Sequence, residues 1–189
     1  PLPRDKAFYG HVDPAGHFPA YRYEKKTQTR VPRVKPWTPT LQSIVTDLFQ
    51  RTGWRPNHCV VNQYRDGSDY ISYHCDKDWD ICPGSPVLTV SFGEARVFLL
   101  DTIAHLQKIK KRIPHEKTPP LRFTLEHGSL FVLGWDTNHA YKHEIKKTSA
   151  KGTKRRVSLT FRCIQSRAKL EDGGTFQIIG TYPLTEFRS

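Results

Sequence analysis

The chain has no methionine, only four cysteines in 189 residues, and 18 acidic side chains against 30 Lys and Arg. Each shortage excludes something. No stretch approaches the roughly 18 consecutive apolar residues that span a bilayer, and no charged-then-apolar leader opens the chain, so no membrane partner is expected. Cys59, Cys75, Cys82 and Cys163 are spread out and contain no C-x-x-C pair. That spacing argues against a disulfide framework and predicts reduced thiols in an intracellular protein, nuclear or cytoplasmic. A zinc site using Cys75 and Cys82 lacks the usual paired ligand spacing. Internal repeats, heptads and low-complexity tracts are absent. Opening on Pro1 without any Met, the chain is expected to start inside a longer protein.

The scarcity of acid leaves a formal net charge of +12 and a pI near 9.7. A charge of that sign draws a protein toward polyanions such as DNA or RNA. It is equally compatible with a solvated basic face, so motifs must decide. At 21.9 kDa the chain is long enough for one full core, and a single domain is expected.

From Trp37 to Gly53 the sequence predicts a helix. Thr38 can cap it, Pro39 suits its first turn, and Leu41, Ile44, Val45, Leu48 and Phe49 recur at helical spacing. Beyond it the texture changes to short segments rich in Val, Ile, Phe, Tyr and Thr: 58–64, 70–74, 87–92, 96–100, 121–125, 129–133, 140–145 and 157–163. Asp66-Gly67, Pro83-Gly84-Ser85 and His127-Gly128 supply turn chemistry between them. Eight such strands with a flanking helix predict a mainly β fold of the α+β class with a sandwich or jelly-roll core. Residues 101–120, with Lys108, Lys110, Lys111 and Arg112, look like an exposed basic insertion. Residues 146–156, with Lys146, Lys147, Lys151, Lys154 and Arg155, look like a second basic loop. A Gly173-Gly174 break precedes a short edge strand at 175–179.

Chemistry concentrates at Tyr73-His74-Cys75-Asp76-Lys77-Asp78. His74 and Asp76, two apart at the end of a strand, can face one metal, and His143 on a later strand supplies a third ligand. Two His and one carboxylate on one face of an octahedral ion leave three positions open, the arrangement of non-haem Fe(II) oxygenases. An H-x-D pair alone also arises by chance, and His11, His17, His58, His105, His115, His127 and His139 compete as ordinary surface or core histidines. Arg156 and Arg162 lie six apart on one strand, hence on one face. Buried together they would demand anions, which a dicarboxylate such as 2-oxoglutarate provides. Asn62 and Tyr64, alternating on another strand, add donors. An exposed strand face explains the arginine spacing equally well.

Asn62-x-Tyr64, Asp66-Gly67, His74-x-Asp76, Pro83-Gly84-Ser85-Pro86, Ser91-Phe92-Gly93, Gly128-Ser129-Leu130, His143 and Arg156-x-x-Leu-Thr-Phe-Arg162 occur in the order and approximate spacing of the AlkB family. The chain most resembles the animal DNA- and RNA-repair members over about residues 3–163. That resemblance implies a double-stranded β-helix, with Fe(II) on His74, Asp76 and His143 and 2-oxoglutarate on Asn62, Tyr64, Arg156 and Arg162. It implies oxidative demethylation of N-alkylated bases in DNA or RNA with O2, releasing succinate, CO2 and formaldehyde. A methylated base reaches such a site from a single strand or by flipping out of a duplex. Tyr21-x-Tyr23 then occupies the place of the family's base-stacking segment, although ordinary core packing explains two tyrosines as well. Asp78 falls where relatives face the base with a carboxylate, and Arg96 is a candidate phosphate contact, with an internal ion pair as its alternative. The expected organisation is recognition and helical residues 1–57, a core at 58–165 and an extension at 166–189, acting as a monomer. The same core can also serve a protein or small-molecule substrate, and formaldehyde release from methylated oligonucleotides separates these cases.

Overall fold

A computed structural model describes residues 4–23, 31–111, 119–149, 152–171 and 175–188. The described elements run β1 (Asp5–Gly10), β2 (His17–Pro19), β3 (Lys35–Pro36), α1 (Pro39–Thr52), β4 (His58–Tyr64), β5 (Ile71–His74), β6 (Val87–Gly93) and β7 (Arg96–Thr102). Then follow α2 (Ile103–Lys111), β8 (Leu121–Leu125), β9 (Leu130–Leu133), α3 (Trp135–Ala140), β10 (Tyr141–Ile145), β11 (Arg156–Arg162), β12 (Ser166–Leu170) and β13 (Phe176–Thr181). All eight strands expected between residues 58 and 163 are present, and the fold is mostly β with few helices.

Helix α1 begins where Thr38 Oγ1 accepts the Leu41 backbone N–H at 3.3 Å, and Pro39 fills the first turn. It ends at Gly53, whose φ of 72° lets its N–H close onto the Phe49 carbonyl. Leu41, Val45 and Leu48 face inward, each contributing about 1.5–3 kcal/mol of apolar burial. The region expected to be an exposed loop from residue 101 instead opens with α2. Thr102 Oγ1 accepts the His105 N–H at 3.0 Å and His105 Nδ1 meets the Asp101 carboxylate at 2.7 Å, so side chains start this helix although it buries no residue. Arg112, His115, Lys151 and the Gly173-Gly174 break lie outside the described residues.

Two compact units are present. The first comprises Pro1–Lys6, Asn62–Asp76 and Thr89–Leu159. Its four-stranded sheet has the order β5-β10-β7-β8 and is antiparallel, with His143 opposite both His74 and Leu100, and Leu100 opposite Leu121. Phe98, Leu100, Leu125 and Leu133 are buried here, with the Phe131 ring 4.7 Å from Phe98 and 5.2 Å from Phe123.

The second unit comprises Ala7–Val61, Lys77–Leu88 and Thr160–Ser189. It holds a sheet of order β13-β12-β2 over a core of Phe18, Ala20, Val34, Ala168 and Phe176. Cys82, Cys163, Tyr182 and Phe187 form another cluster, and all four cysteines are free thiols. A six-stranded sheet has the order β3-β1-β4-β11-β6-β9.

Candidate metal and cosubstrate site

Antiparallel register builds the centre of the first unit. His143 on β10 lies opposite His74 at the end of β5, and their rings are 4.2 Å apart. The His143 ring stacks on Phe98 at 5.3 Å and 19°, which fixes its plane. Asp76 follows two residues beyond His74. One ligand atom from each of His74, Asp76 and His143 lies within 4.8 Å of the others, and this is the one such grouping of three among the described residues. His74 Nδ1 donates to the Ser72 carbonyl at 2.9 Å, a bond that orients the ring and makes Nε2 the nitrogen that could serve a metal.

Sequence reasoning missed the residue that fixes Asp76. Asn138, buried in α3, accepts the Asp76 N–H through Oδ1 at 2.9 Å and donates Nδ2 to the Asp76 carbonyl at 3.0 Å. One side-chain amide thus satisfies both backbone groups of the residue after the strand ends, where ladder pairing has stopped. An Asn three residues before a strand carries no distinguishing pattern, so only the fold reveals it.

In the same unit, the structure brings Tyr64, Arg96 and Arg156 together. The Arg156 guanidinium lies 5.1 Å from the Tyr64 ring centroid and that of Arg96 lies 5.6 Å from it. Arg156 is 1% exposed and donates Nη2 to Ser91 Oγ at 2.9 Å, but its Nε and Nη1 are buried with no acceptor in hydrogen-bonding geometry. Burial, with the neighbouring Arg96 charge adding to it, pulls its pKa below the ordinary arginine value. A buried guanidinium with two unsatisfied donors calls for an anion. Gly93 seats this strand: its φ is 86° and a Cβ there would collide with the Arg155 backbone. Asn62 accepts Arg4 Nε on Oδ1 at 2.9 Å, and Arg4 also donates to the Tyr70 carbonyl at 2.9 Å. This fixes the Asn62 amide orientation through a residue that sequence reasoning did not single out.

Arg96 corrects an expectation. It is 4% exposed, and it donates to the backbone carbonyls of Asp66, Asp69 and Lys146 rather than facing a phosphate. Three carbonyls left over at loop 65–69 and at the end of β10 converge on it, a tertiary demand that no local pattern announces.

Arg162 belongs to the second unit, as do Tyr21, Tyr23 and Asp78. Its guanidinium lies 4.8 Å from the Tyr21 ring centroid, and Nη1 donates to the Thr160 carbonyl. The Tyr21 and Tyr23 rings meet edge-on at 5.3 Å. Tyr21 is buried and its hydroxyl accepts the Lys77 N–H at 3.0 Å, whereas Tyr23 is 38% exposed. His58 also joins them, 5.6 Å from Tyr21 and 1% exposed. Burial, reinforced by the Arg162 charge, drops its pKa from 6.5 to about 3, so it is neutral. The half-buried Asp78 accepts the Ile81 N–H on its carbonyl. Lys108, Lys110, Lys111, Lys146, Lys147, Lys154 and Arg155 are exposed.

The chain belongs to the 2OG-Fe(II) oxygenase superfamily, whose profile matches residues 1–162. Membership implies Fe(II) and 2-oxoglutarate. Within the superfamily its relatives are of the AlkB family. It is 34% identical over 166 residues to the DNA oxidative demethylase ALKBH2 of Mus musculus, covering 86% of this chain and 62% of that protein. It is 33% identical over 166 residues to ALKBH2 of Homo sapiens, covering 86% and 57%. The chain therefore spans roughly three-fifths of the length of these curated relatives. The solved structure of OsALKBH1 matches with a TM-score of 0.57 at 19% identity, covering 85% of this chain and 78% of that one. The likeness shows a shared jelly-roll type of fold, as expected from the strand series.

Proposed function

We propose that residues 1–189 act as one Fe(II)- and 2-oxoglutarate-dependent oxygenase domain that removes N-alkyl groups from bases in DNA or RNA. The observation that carries this is the convergence of His74, Asp76 and His143 to within 4.8 Å in the unit that also holds a buried Arg156 with unsatisfied donors. Two imidazoles and one carboxylate suit Fe(II) and leave coordination positions for an oxoacid and O2. With iron and 2-oxoglutarate bound, O2 would be the oxidant: one oxygen atom would end in succinate as the oxoacid loses CO2, and the other would hydroxylate an N-methyl group, whose hydroxymethyl product is lost as formaldehyde.

The chain's own residues bind and orient. His74, Asp76 and His143 hold the metal, and Asn138 keeps Asp76 in place. Arg156 neutralises a cosubstrate carboxylate, and Asn62 and Tyr64 donate to it. Tyr23 and Tyr21 offer the aromatic surface for a single-stranded or flipped base, and Asp78 faces that base. The exposed Lys108, Lys110, Lys111, Lys146, Lys147, Lys154 and Arg155 track phosphates. The protein works as a monomer inside the cell, in nucleus or cytoplasm, and no helix among the described residues is long and apolar enough to cross a membrane.

The test is a panel of single- and double-stranded DNA and RNA oligonucleotides carrying 1-methyladenine, 3-methylcytosine or N6-methyladenine. Mass spectrometry should detect demethylated base and formaldehyde only with Fe(II) and 2-oxoglutarate, at rates that fall steeply with salt. Succinate formation without any demethylated oligonucleotide would reject the nucleic-acid half of the proposal.

A further inference from the structure

Asp80 is fully buried, with 0% exposure, yet plays no part in the proposed chemistry. It accepts the Arg22 backbone N–H at 2.7 Å, Arg22 Nε at 3.0 Å and Arg22 Nη2 at 2.6 Å. It also accepts Ser166 Oγ at 2.5 Å, while its own carbonyl takes the Gln165 N–H at 2.8 Å. Arg22 stands between Tyr21 and Tyr23. Its carbonyl accepts Trp79 Nε1 at 3.0 Å, and the Tyr21 hydroxyl accepts the Lys77 N–H at 3.0 Å. Every one of these groups lies in the second unit. Segment 21–23 is thus bonded at four kinds of atom (backbone N–H, backbone carbonyl, guanidinium and phenol) to the loop 77–80 that carries Asp78.

Stability alone is a weak reason to keep such a pair. Burying a carboxylate against a guanidinium carries a desolvation penalty that roughly cancels their attraction, and apolar replacements of both partners are often neutral or stabilising. What an ion pair of this kind adds is one fixed geometry. Here the thing fixed is the spacing between an aromatic segment and a carboxylate-bearing loop. We propose that Arg22 and Asp80 are positioning residues that hold Tyr21, Tyr23 and Asp78 as one rigid base-reading surface. This rests on the base-binding role proposed above for those three residues.

Three proteins test it: wild type, Arg22→Lys, and the double variant Arg22→Met/Asp80→Leu, which removes both charges together and leaves neither stranded. Each is assayed as the full chain with Fe(II) and 2-oxoglutarate for thermal unfolding, for succinate formation without nucleic acid, and for KM and kcat on single-stranded oligonucleotides carrying 1-methyladenine or 3-methylcytosine. Asp80→Leu also takes the acceptor from the Ser166 hydroxyl and the Arg22 N–H, so the double variant should melt a few degrees below wild type and, assayed where it stays folded, retain its succinate formation. Its KM for methylated oligonucleotide should rise about tenfold or more, the scale of losing one well-placed base stack, with less change in kcat. Its preference between the two bases should narrow. Arg22→Lys, which keeps the charge and loses the two-pronged contact, should fall between. Hydrogen exchange at residues 21–23 should speed up in the same order. Unchanged KM and base preference in the double variant, whether or not exchange speeds up, would overturn the positioning role. So would a drop in melting temperature with KM unmoved at a temperature where it stays folded. If wild type itself demethylates none of the oligonucleotides, the substrate proposal has failed instead, and the clamp's role falls with it.

Discussion

The first unit, with its candidate metal ligands, and the aromatic second unit are organised by different forces. In the first, backbone ladders do the placing: His143 meets His74 because β10 and β5 pair in one register, and a slip of one residue would turn both imidazoles to the other face. In the second, the backbone of 21–23 lies outside any strand, and buried side-chain bonds from Asp80 and Tyr21 hold it. A ladder is cooperative and tolerant of single surface changes, whereas a side-chain clamp concentrates its effect in one or two residues. Damage to the first unit should therefore abolish turnover, and damage to the second should alter what is recognised.

The largest effect is expected at the centre of the ladder. Asp76→Ala should abolish Fe(II)-dependent succinate formation, and turnover equal to wild type by mass spectrometry would sink the metal assignment. Next comes Arg156→Met, which removes the buried donors. It should raise the KM for 2-oxoglutarate by about 10- to 150-fold, the scale of a charge-assisted bond worth roughly 1.5–3 kcal/mol. A KM within twofold of wild type, measured with saturating iron, would show that the carboxylate binds elsewhere. Asn138→Ala should weaken Fe(II) binding by about 10- to 100-fold while leaving the ligands themselves intact, as loss of an outer support does. Iron titration followed by quenching of tryptophan fluorescence reads this directly, and equal affinities would make Asn138 a packing residue only.

The smallest effect belongs to the second unit and concerns pH. His58 titrates near 6.5 when unfolded and at about 3 in the fold, where burial keeps it neutral. Below pH 6.5 the unfolded chain takes up a proton that the folded one refuses, so this residue's contribution erodes as pH falls toward 3, by up to about 1.4 kcal/mol per pH unit. His58→Phe should flatten that part of the profile. Denaturant titrations of both proteins at pH 7 and pH 5 check it, and identical losses in the two would show that His58 does not govern the acid slope.

Much of the ladder was legible beforehand. The strand runs from His58 to Tyr64 and from Leu121 to Leu125 fall where the alternating β-branched and aromatic residues put them, and His74-x-Asp76 stood out beside a strand end. Lys108, Lys110 and Lys111 point to an exposed basic insertion and mask helix α2, although Ile103, Leu106 and Ile109 recur at helical spacing. The sequence leaves Arg96 between a phosphate contact and an internal ion pair, because the three carbonyls it satisfies are distant in sequence.

By itself the sequence determined the strand series, the capped helix and the residue types of an iron and dicarboxylate site, because period-two patterning, capping and ligand chemistry are local properties. Only the tertiary structure decided that Asn138 holds Asp76, that Arg4 orients Asn62, that Arg96 is enclosed and that Asp80 grips Arg22. Each of those joins residues between 27 and 62 positions apart, and what selects them is a buried polar group requiring a partner, a demand that exists only once the chain has folded around it.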